Sequence, residues 1–270
     1  MKRNVSLEEI SDGKLYTCND MVKADCGDCA GCSACCHGMG ESIVLDPLDI
    51  YRLTTNLEMT FEQLLSQYIE LIVVDGVILP NLKMAGPNEA CGFLDNNGRC
   101  SIHAHRPGIC RLFPLGRFYE DGGFKYFLQT HECKKENRTK VKVKKWIDTP
   151  NLKQYESFVA DWHYFLNSME ERANESDDAT AKQISMFLLQ NFYIKPYDRS
   201  VDFYPQYEER RAAAKMVFWK LPWSAASRCT CWSSPARSSA RRRRTSRRCW
   251  RSIFSRLRSF IRASTRILRF

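Results

Sequence analysis

Long apolar runs are missing from this 270-residue chain. No window of about 18 or more apolar residues occurs, so nothing in the sequence predicts a membrane-spanning helix. The first residues, MKRNVSLEEI, include two early basic residues but no apolar segment behind them, which argues against a secretory signal. These absences predict a cytoplasmic protein, in which thiols stay reduced and structural disulfides are rare.

Acidic residues are absent from positions 221–270, which also lack Gly, Val, Asn, Gln, Tyr, His, Met and Lys. Arg and Ser make up half of this Arg/Ser-rich tail, which indicates a frameshift product that begins after about Lys220. The alternative is an arginine-rich arm that binds nucleic acid or membrane, because apolar residues from Ile253 to Leu268 share one helical face. Since blocks of like charge are usually solvated, a disordered tail is predicted.

The basic balance of the chain comes from this tail. The chain has 41 Lys and Arg against 31 Asp and Glu, a net charge of +10. Without the 14 arginines of residues 221–270, 27 basic groups stand against 31 acidic groups, and the net charge becomes −4. A strongly basic body would favour nucleic-acid binding. No nucleic-acid partner is therefore predicted for residues 1–220.

Cysteine, in contrast, is concentrated. The stretch CGDCAGCSACC at 26–36 holds five thiols, and four more lie in NEACGFLDNNGRCSIH, HRPGIC and THEC. In a reducing compartment such a cluster indicates metal or redox chemistry, although thiols buried as small apolar side chains are the alternative. The predicted metal ligands are Cys26, Cys29, Cys32, Cys35, Cys36, Cys91, Cys100, Cys110 and Cys133.

The spacing of these thiols bears on the kind of metal centre. A Cys-x2-Cys pair lets two thiolates converge on one metal, as in zinc sites and iron–sulfur sites. Nine thiols exceed what one tetrahedral ion accepts, so a cluster or more than one ion is predicted. The side chains of the adjacent Cys35 and Cys36 point in different directions and are suited to binding two different metal atoms. Zinc and an iron–sulfur cluster, 4Fe-4S included, both remain open because thiolates suit both.

Charged and imidazole side chains accompany the thiols. Arg106 and Arg111 flank Cys110 and are predicted to bind the cofactor, either a thiolate cluster or an anionic ligand, with surface salt bridging as the alternative. Each nearby histidine is either a further ligand or, as is more common, a supporting or exposed group. These histidines are His37, His103, His105 and His131.

Helix and strand signals follow the first cysteine stretch. A short apolar strand is predicted at 43–45. Asp46, as N-cap before Pro47, begins one helix, and Thr60 begins a second one within a capping box. Apolar residues at helical spacing continue the second helix to Ile72.

Turn glycines, together with a change in the spacing of apolar residues, complete the prediction of an α+β fold. Turns at 75–76 and 122–123 predict two hairpins, and a turn at 96–98 is expected to bring Cys91 and Cys100 together. From residue 151 onward, apolar residues recur at helical spacing and predict three helices. His163 lies among them and is predicted to be a core or solvent-facing residue rather than a ligand.

Four regions are predicted from these patterns. Residues 1–23 are an N-terminal extension, 24–150 a small cysteine-cluster metal-binding domain with short hairpins and helices, and 151–220 a helical segment; 221–270 are the tail. Short helices with a single apolar stripe are marginal in isolation. The helical segment is therefore expected to pack on the cysteine domain as a lid or buttress.

Four motifs together resemble a known family. They are Cys29-x2-Cys32-x2-Cys35-Cys36, LDPLDIYRL at 45–53, CGFLDNNGRCSI at 91–102 and RPGICRLFP at 106–114. Their combination is similar to the YkgJ-type cysteine-cluster family, a zinc- or iron-chelating domain with a CxxCxxCC motif, over about residues 24–135. The resemblance implies a metal or iron–sulfur centre. The related flagellin lysine methylases imply methyl transfer as an optional activity, and Cys26 precedes the family's core pattern.

Two functions are consistent with these residues. The first is a metal-binding protein that holds a zinc or iron–sulfur centre without catalytic turnover. The alternative is an iron–sulfur-dependent enzyme that modifies a protein substrate, such as a lysine N-methylase. The sequence contains neither a Rossmann-type glycine fingerprint nor a nucleophile elbow, which favours the first function.

The composition break after Lys220 predicts that the tail is dispensable. A chain that ends at residue 220 is expected to fold and to bind metal like the full chain, because residues 1–220 have their own helix caps, hairpins and apolar faces. Thermal unfolding and metal analysis of both chains check this. Loss of metal or precipitation of the shortened chain alone would show that the tail is a genuine element.

Overall fold

The computed structural model describes residues 6–27 and 29–219, in which helices alternate with short strands. The helices in this part are α1 (Leu7–Ile10), α2 (Pro47–Asn56), α3 (Phe61–Gln67), α4 (Gly108–Leu112), α5 (Val143–Ile147), α6 (Leu152–Glu175), α7 (Asp178–Leu189) and α8 (Phe203–Trp219). The strands are β1 (Met21–Asp25), β2 (Ile69–Val74), β3 (Val77–Leu82), β4 (Met84–Ala85), β5 (Ala90–Cys91), β6 (Leu115–Glu120), β7 (Gly123–Leu128) and β8 (Thr139–Lys142). The α+β class is confirmed, whereas the predicted tail lies outside the described residues. None of the described helices combines the length and apolar character that crossing a membrane requires.

The strands form four separate antiparallel pairs, β1–β8, β2–β3, β4–β5 and β6–β7. The pairs β2–β3 and β6–β7 are the two predicted hairpins. Their turns, Asp75-Gly76 and Asp121-Gly122, have positive φ at both central residues, as a tight two-residue turn requires. The second turn lies one residue before the predicted position, 122–123. Strands β1 and β8 flank the cysteine-containing region in sequence, so their pairing brings its two ends together.

The starts of α2 and α3 agree with the capping signals. The Asp46 side chain accepts a hydrogen bond from the backbone N of Asp49 (2.8 Å), and the Asp49 carboxylate accepts one from the Asp46 N (3.1 Å). Pro47 occupies the first turn of α2. Thr60 and Gln63 form the same reciprocal arrangement at the start of α3. Both predicted helix starts are confirmed.

Helix α3 is shorter than its apolar pattern predicts, because it ends at Gln67 and does not continue to Ile72. From Ile69 onward the chain is strand β2, in which β-branched residues pair with β3. Strand pairing therefore overrides the helical spacing. The predicted strand at 43–45 is reduced to one bridge, which Val44 makes to β3.

Helices α6, α7 and α8 enclose an aromatic core. Trp162 of α6 packs on Phe192, with ring centroids 5.1 Å apart, and Phe158 packs on Tyr207 of α8 at 4.7 Å. All four side chains are buried. Helix α7 stops before Phe192, and a π-helical turn, Gln190–Ile194, carries this side chain into the core.

The helices after residue 151 lie against the hairpins of the preceding region. Ser185 of α7 accepts a hydrogen bond from the backbone N of Ile78 in β3 (3.2 Å). His163 of α6 stacks on Tyr119 of β6, with ring centroids 3.4 Å apart. This position agrees with the expectation that His163 packs rather than ligates.

The aromatic core predicts a large effect of one substitution. Trp162→Asp is expected to lower the free energy of unfolding by about 3–5 kcal/mol, because it removes a large buried ring and buries a carboxylate. Urea unfolding of the full chain measures the change. Gln154→Asp on the exposed face of α6 is the control, with an expected change within about 0.5 kcal/mol. Wild-type stability of Trp162→Asp would mean that the ring does not support the fold.

Candidate metal centre

The first cysteines lie on a loop of consecutive turns between β1 and α2. Backbone hydrogen bonds close two of these turns, from Ala30 N to Gly27 O (3.1 Å) and from Cys32 N to Cys29 O (3.0 Å). A 3₁₀ turn, Ala34–Cys36, ends the stretch. Gly27 and Cys29 have φ values of 67° and 56°, in the left-handed region. The backbone therefore curls tightly between successive thiols.

Cys91 and Cys100 lie at the base of a small loop, where the turn signal predicts them. Cys91 ends β5, and a bridge between Leu94 and Cys100 closes the loop. The Asp95 side chain accepts a hydrogen bond from the backbone N of Arg99 (2.8 Å) and holds the turn. The loop thus keeps both thiols at one end.

Cys110 lies on the short helix α4, whose first residue is fixed by two neighbouring helices. The backbone N of Gly108 donates a hydrogen bond to Asp49 Oδ1 (2.7 Å), and Asp49 is only 2% exposed. A Cβ atom at position 108 would lie 2.5 Å from the Tyr155 hydroxyl, so a side chain does not fit there. Helices α2 and α6 therefore position Cys110.

Two cavities with shared walls receive the predicted ligands. The larger cavity, of about 130 Å³, is lined by Cys29, Cys32, Cys35, Cys36, Cys91, Cys100 and Cys110. The smaller cavity, of about 20 Å³, is lined by Cys26, Cys29, Cys32, Cys35 and Cys133. All nine predicted thiols therefore come together. Cys18, which is not a predicted ligand, lies in a separate groove beside Glu156.

Burial keeps several of these thiols protonated. It raises the pKa of Cys91 and Cys110, and it raises the pKa of Cys29 to about 12. The hydrogen bond between Cys35 and Cys36 lowers the pKa of Cys35 to about 6 and raises that of Cys36. A metal cation would replace the protons of the thiols that it binds. Ionisation is therefore more favourable at Cys35 than at the buried thiols, which require a cation to ionise.

The donor set fits a soft metal or cluster, because zinc sites and iron–sulfur sites both use cysteine thiolates. Within residues 6–27 and 29–219, no three His, Cys, Asp or Glu side chains are grouped closely enough to hold an ion as they stand. Cys26 and Cys29 do approach each other, with 3.5 Å between their Sγ atoms. Metal binding would therefore draw the lining thiols inward.

The two predicted arginines have different surroundings. Arg106 lines the larger cavity, where its positive charge favours thiolates, and its guanidinium contacts His103. Arg111 donates hydrogen bonds to the backbone oxygens of Ala104 (2.6 Å) and Asp148 (2.9 Å), and so it ties α4 to adjacent segments. The contact of either arginine with a bound cofactor stays a prediction.

The candidate histidines are spread around the centre. His103 lines the larger cavity and is half-buried. His37 Nδ1 lies 3.3 Å from the backbone oxygen of Asn88, so this imidazole faces the loop before β5. His105 and His131 are exposed. His103 is therefore the histidine best placed to reach a metal in the larger cavity.

Several side chains of the site have no ligand signal in the sequence. Phe113 and Trp146 line both cavities, and Met39 and Met84 line the larger one. These apolar groups lie far apart in sequence, and their approach depends on tertiary packing. Asp49 belongs to the LDPLDIYRL motif at 45–53, and its carboxylate also fixes the helix that bears a thiol.

The cysteine-lined cavities lie in a cysteine-rich region of short helices and hairpins. Residues 28–146 match the model of the CxxCxxCC family, which is described as "Putative zinc- or iron-chelating domain". This match agrees with the resemblance of the motifs and supports metal binding through clustered cysteines. Cys26 lies just before the matched residues. No curated protein and no solved structure matches the chain.

The contact between Asp49 and Gly108 yields a testable prediction. Asp49→Ala is expected to lower the free energy of unfolding by about 1–3 kcal/mol, because the buried Gly108 amide loses its acceptor. Hydrogen exchange of the α4 amides should accelerate as well. Asp177→Ala is the matched control, since it removes the cap of α7 at a cost of about 1 kcal/mol and leaves α4 unchanged. Equal exchange of α4 in both variants would contradict the assigned role.

Proposed function

We propose that this protein binds metal in its cysteine-lined cavities, with thiolates of the clustered cysteines as ligands. The observation that carries the proposal is that cysteines distant in sequence line the same cavities. Nine cysteines from separate sequence segments line two cavities that share three of these thiols. Cysteines that serve only as small apolar side chains have no reason to collect around common cavities.

The packing of the cysteine loops also supports a metal. No described residue between 26 and 42, or between 83 and 92, is buried. Such loops gain little from the hydrophobic effect, while ordering their backbone costs about 1–2 kcal/mol per residue. A further interaction is needed to hold them, and metal–thiolate bonds provide one. Metal binding would then be coupled to the order of these loops.

The larger cavity favours an iron–sulfur cluster over a single zinc ion. Five thiols lie close enough there to influence one another electrostatically: Cys35, Cys36, Cys91, Cys100 and Cys110. A structural zinc ion takes four ligands. The cavity of 130 Å³ also offers about ten times the minimum space that one water molecule requires. A bound cluster supplies electron-transfer chemistry, and these thiols, with Arg106 beside them, would hold it.

Anaerobic purification of the full chain tests the proposal. Brown protein with visible absorption, iron and inorganic sulfide would identify an iron–sulfur cluster. Colourless protein with stoichiometric zinc would retain the metal-binding function and reject the cluster. Purified chain without metal, which also fails to take up zinc or iron after reduction, would reject the proposed function itself.

Substitution of the distal thiols should remove the metal. Cys91→Ser and Cys110→Ser are each expected to retain roughly half or less of the wild-type metal of the larger cavity, because serine is a poor ligand for zinc or iron at neutral pH. Metal content per chain measures this. Cys18→Ser is the control and should keep the full content. If a double variant of Cys91 and Cys110 kept the wild-type metal content, these cysteines would instead be interpreted as small buried apolar side chains.

A further inference from the structure

The two cavities divide the cysteines into distinct sets. Four thiols line the larger cavity but not the smaller one: Cys36, Cys91, Cys100 and Cys110. Cys26 and Cys133 line the smaller cavity but not the larger one. A single centre in the larger cavity therefore leaves these two thiols without a role.

We infer that the chain has two metal positions, a multinuclear one in the larger cavity and a single-ion one in the smaller cavity. The inference rests on the proposed metal-binding function and divides its ligands. The ligands of the single-ion position are Cys26, Cys29, Cys32 and Cys133. Cys35, which lines both cavities, stays with Cys36 in the multinuclear position.

The distance between two thiols is suited to a single ion. The Sγ atoms of Cys26 and Cys29 are 3.5 Å apart. Four thiolates at about 2.3 Å from a tetrahedral zinc ion lie about 3.8 Å from one another. Thiolates of a cluster bind different iron atoms and are spread more widely. Two of the four ligands thus already have a separation that fits one ion, and the other two need to move inward.

The size of the smaller cavity leads to the same conclusion. Its volume of about 20 Å³ is close to the minimum of about 10–15 Å³ for one water-sized sphere. One metal ion fits such a space, whereas a four-iron cluster does not. The larger cavity is more than six times as large.

The backbone brings the two ends of this site together. Cys26 directly follows β1, and Cys133 precedes β8, which pairs with β1. The Lys135 Nζ atom donates a hydrogen bond to the backbone oxygen of Ala30 (2.9 Å) and joins the two cysteine segments a second time. The site is therefore built on the β1–β8 pair and needs no contribution from α4.

The surroundings of the smaller cavity suit a thiolate-bound cation. Four thiolates around a divalent ion leave about two negative charges on the site. Lys134 and Lys135 line this cavity and provide compensating charge, which exceeds the single negative charge of Glu132 in the same lining. Phe113 and Trp146 line its apolar side. A structural ion held by thiolates is consistent with these neighbours.

Metal analysis of matched variants of the full chain tests the division. The zinc and iron content of anaerobically purified wild type is compared with that of Cys26→Ser, Cys133→Ser, Cys91→Ser and the control Cys18→Ser. The first two are expected to lose about one metal ion per chain and to keep the visible spectrum of the larger-cavity centre. Cys91→Ser is expected to lose that spectrum and keep the single ion.

The outcomes separate this inference from the proposed function. Wild type without metal would reject both. Wild type with metal, together with unchanged metal in Cys26→Ser and Cys133→Ser, would reject the second position alone. Parallel loss of all metal in every cysteine variant except Cys18→Ser would also reject it, because a single shared centre explains that result.

Wild type itself provides a measurement that does not depend on the folding of variants. A chelator is added in steps, and the thiols that become exposed are alkylated and identified by mass spectrometry. Two stages are expected, with Cys26, Cys29, Cys32 and Cys133 labelled as one set and the remaining five ligands as another. Simultaneous labelling of all nine thiols would overturn the two-position assignment.

Discussion

The hydrogen bond from the Gly108 amide to the Asp49 carboxylate is the contact on which the position of Cys110 in the larger cavity depends. It joins α2 to α4, the helix that carries Cys110, and the hydroxyl of Tyr155 from α6 closes the same point from the other side. Helix α4 has five residues and makes few internal hydrogen bonds, so it has no fixed position of its own. Its neighbours therefore decide where Cys110 lies.

This contact places a carboxylate in the interior, which needs compensation. Burial raises the pKa of Asp49 to about 7, and the backbone N–H groups of Gly108 and Asp46 oppose that shift by donating to its oxygens. Arg117 donates to the Tyr155 hydroxyl (2.8 Å) and brings positive charge to the same region. Buried networks of this kind add little net stability, because desolvation offsets attraction. Their value here is that they hold α4 against α2 and α6.

The sequence predicts the local parts of this structure better than the long-range ones. Capping at Asp46, the turn at 75–76 and the clustering of thiols in 26–36 each depend on neighbouring residues, and sequence patterns report them directly. The sequence pattern extends α3 beyond its observed end at Gln67, because pairing of the following strand with β3 decides where the helix ends. No local sequence pattern predicts how the thiols divide between the two cavities. This division depends on the pairing of β1 with β8 and on Trp146, which lines both cavities.

The described part of the chain contains two regions that differ in stability. Hairpin β2–β3, α2 and the aromatic core around Trp162 contain most of the large buried apolar side chains, and the hydrophobic effect holds them without any ligand. The loops at 26–42 and 83–92 have no buried described residue, and the bridge between His37 and Ala90 joins them to each other rather than to this frame. Regions with few buried contacts open at the lowest free energy. The apolar frame can therefore persist while the cysteine loops open, and such opening widens the access of a metal to thiols that are already partly exposed.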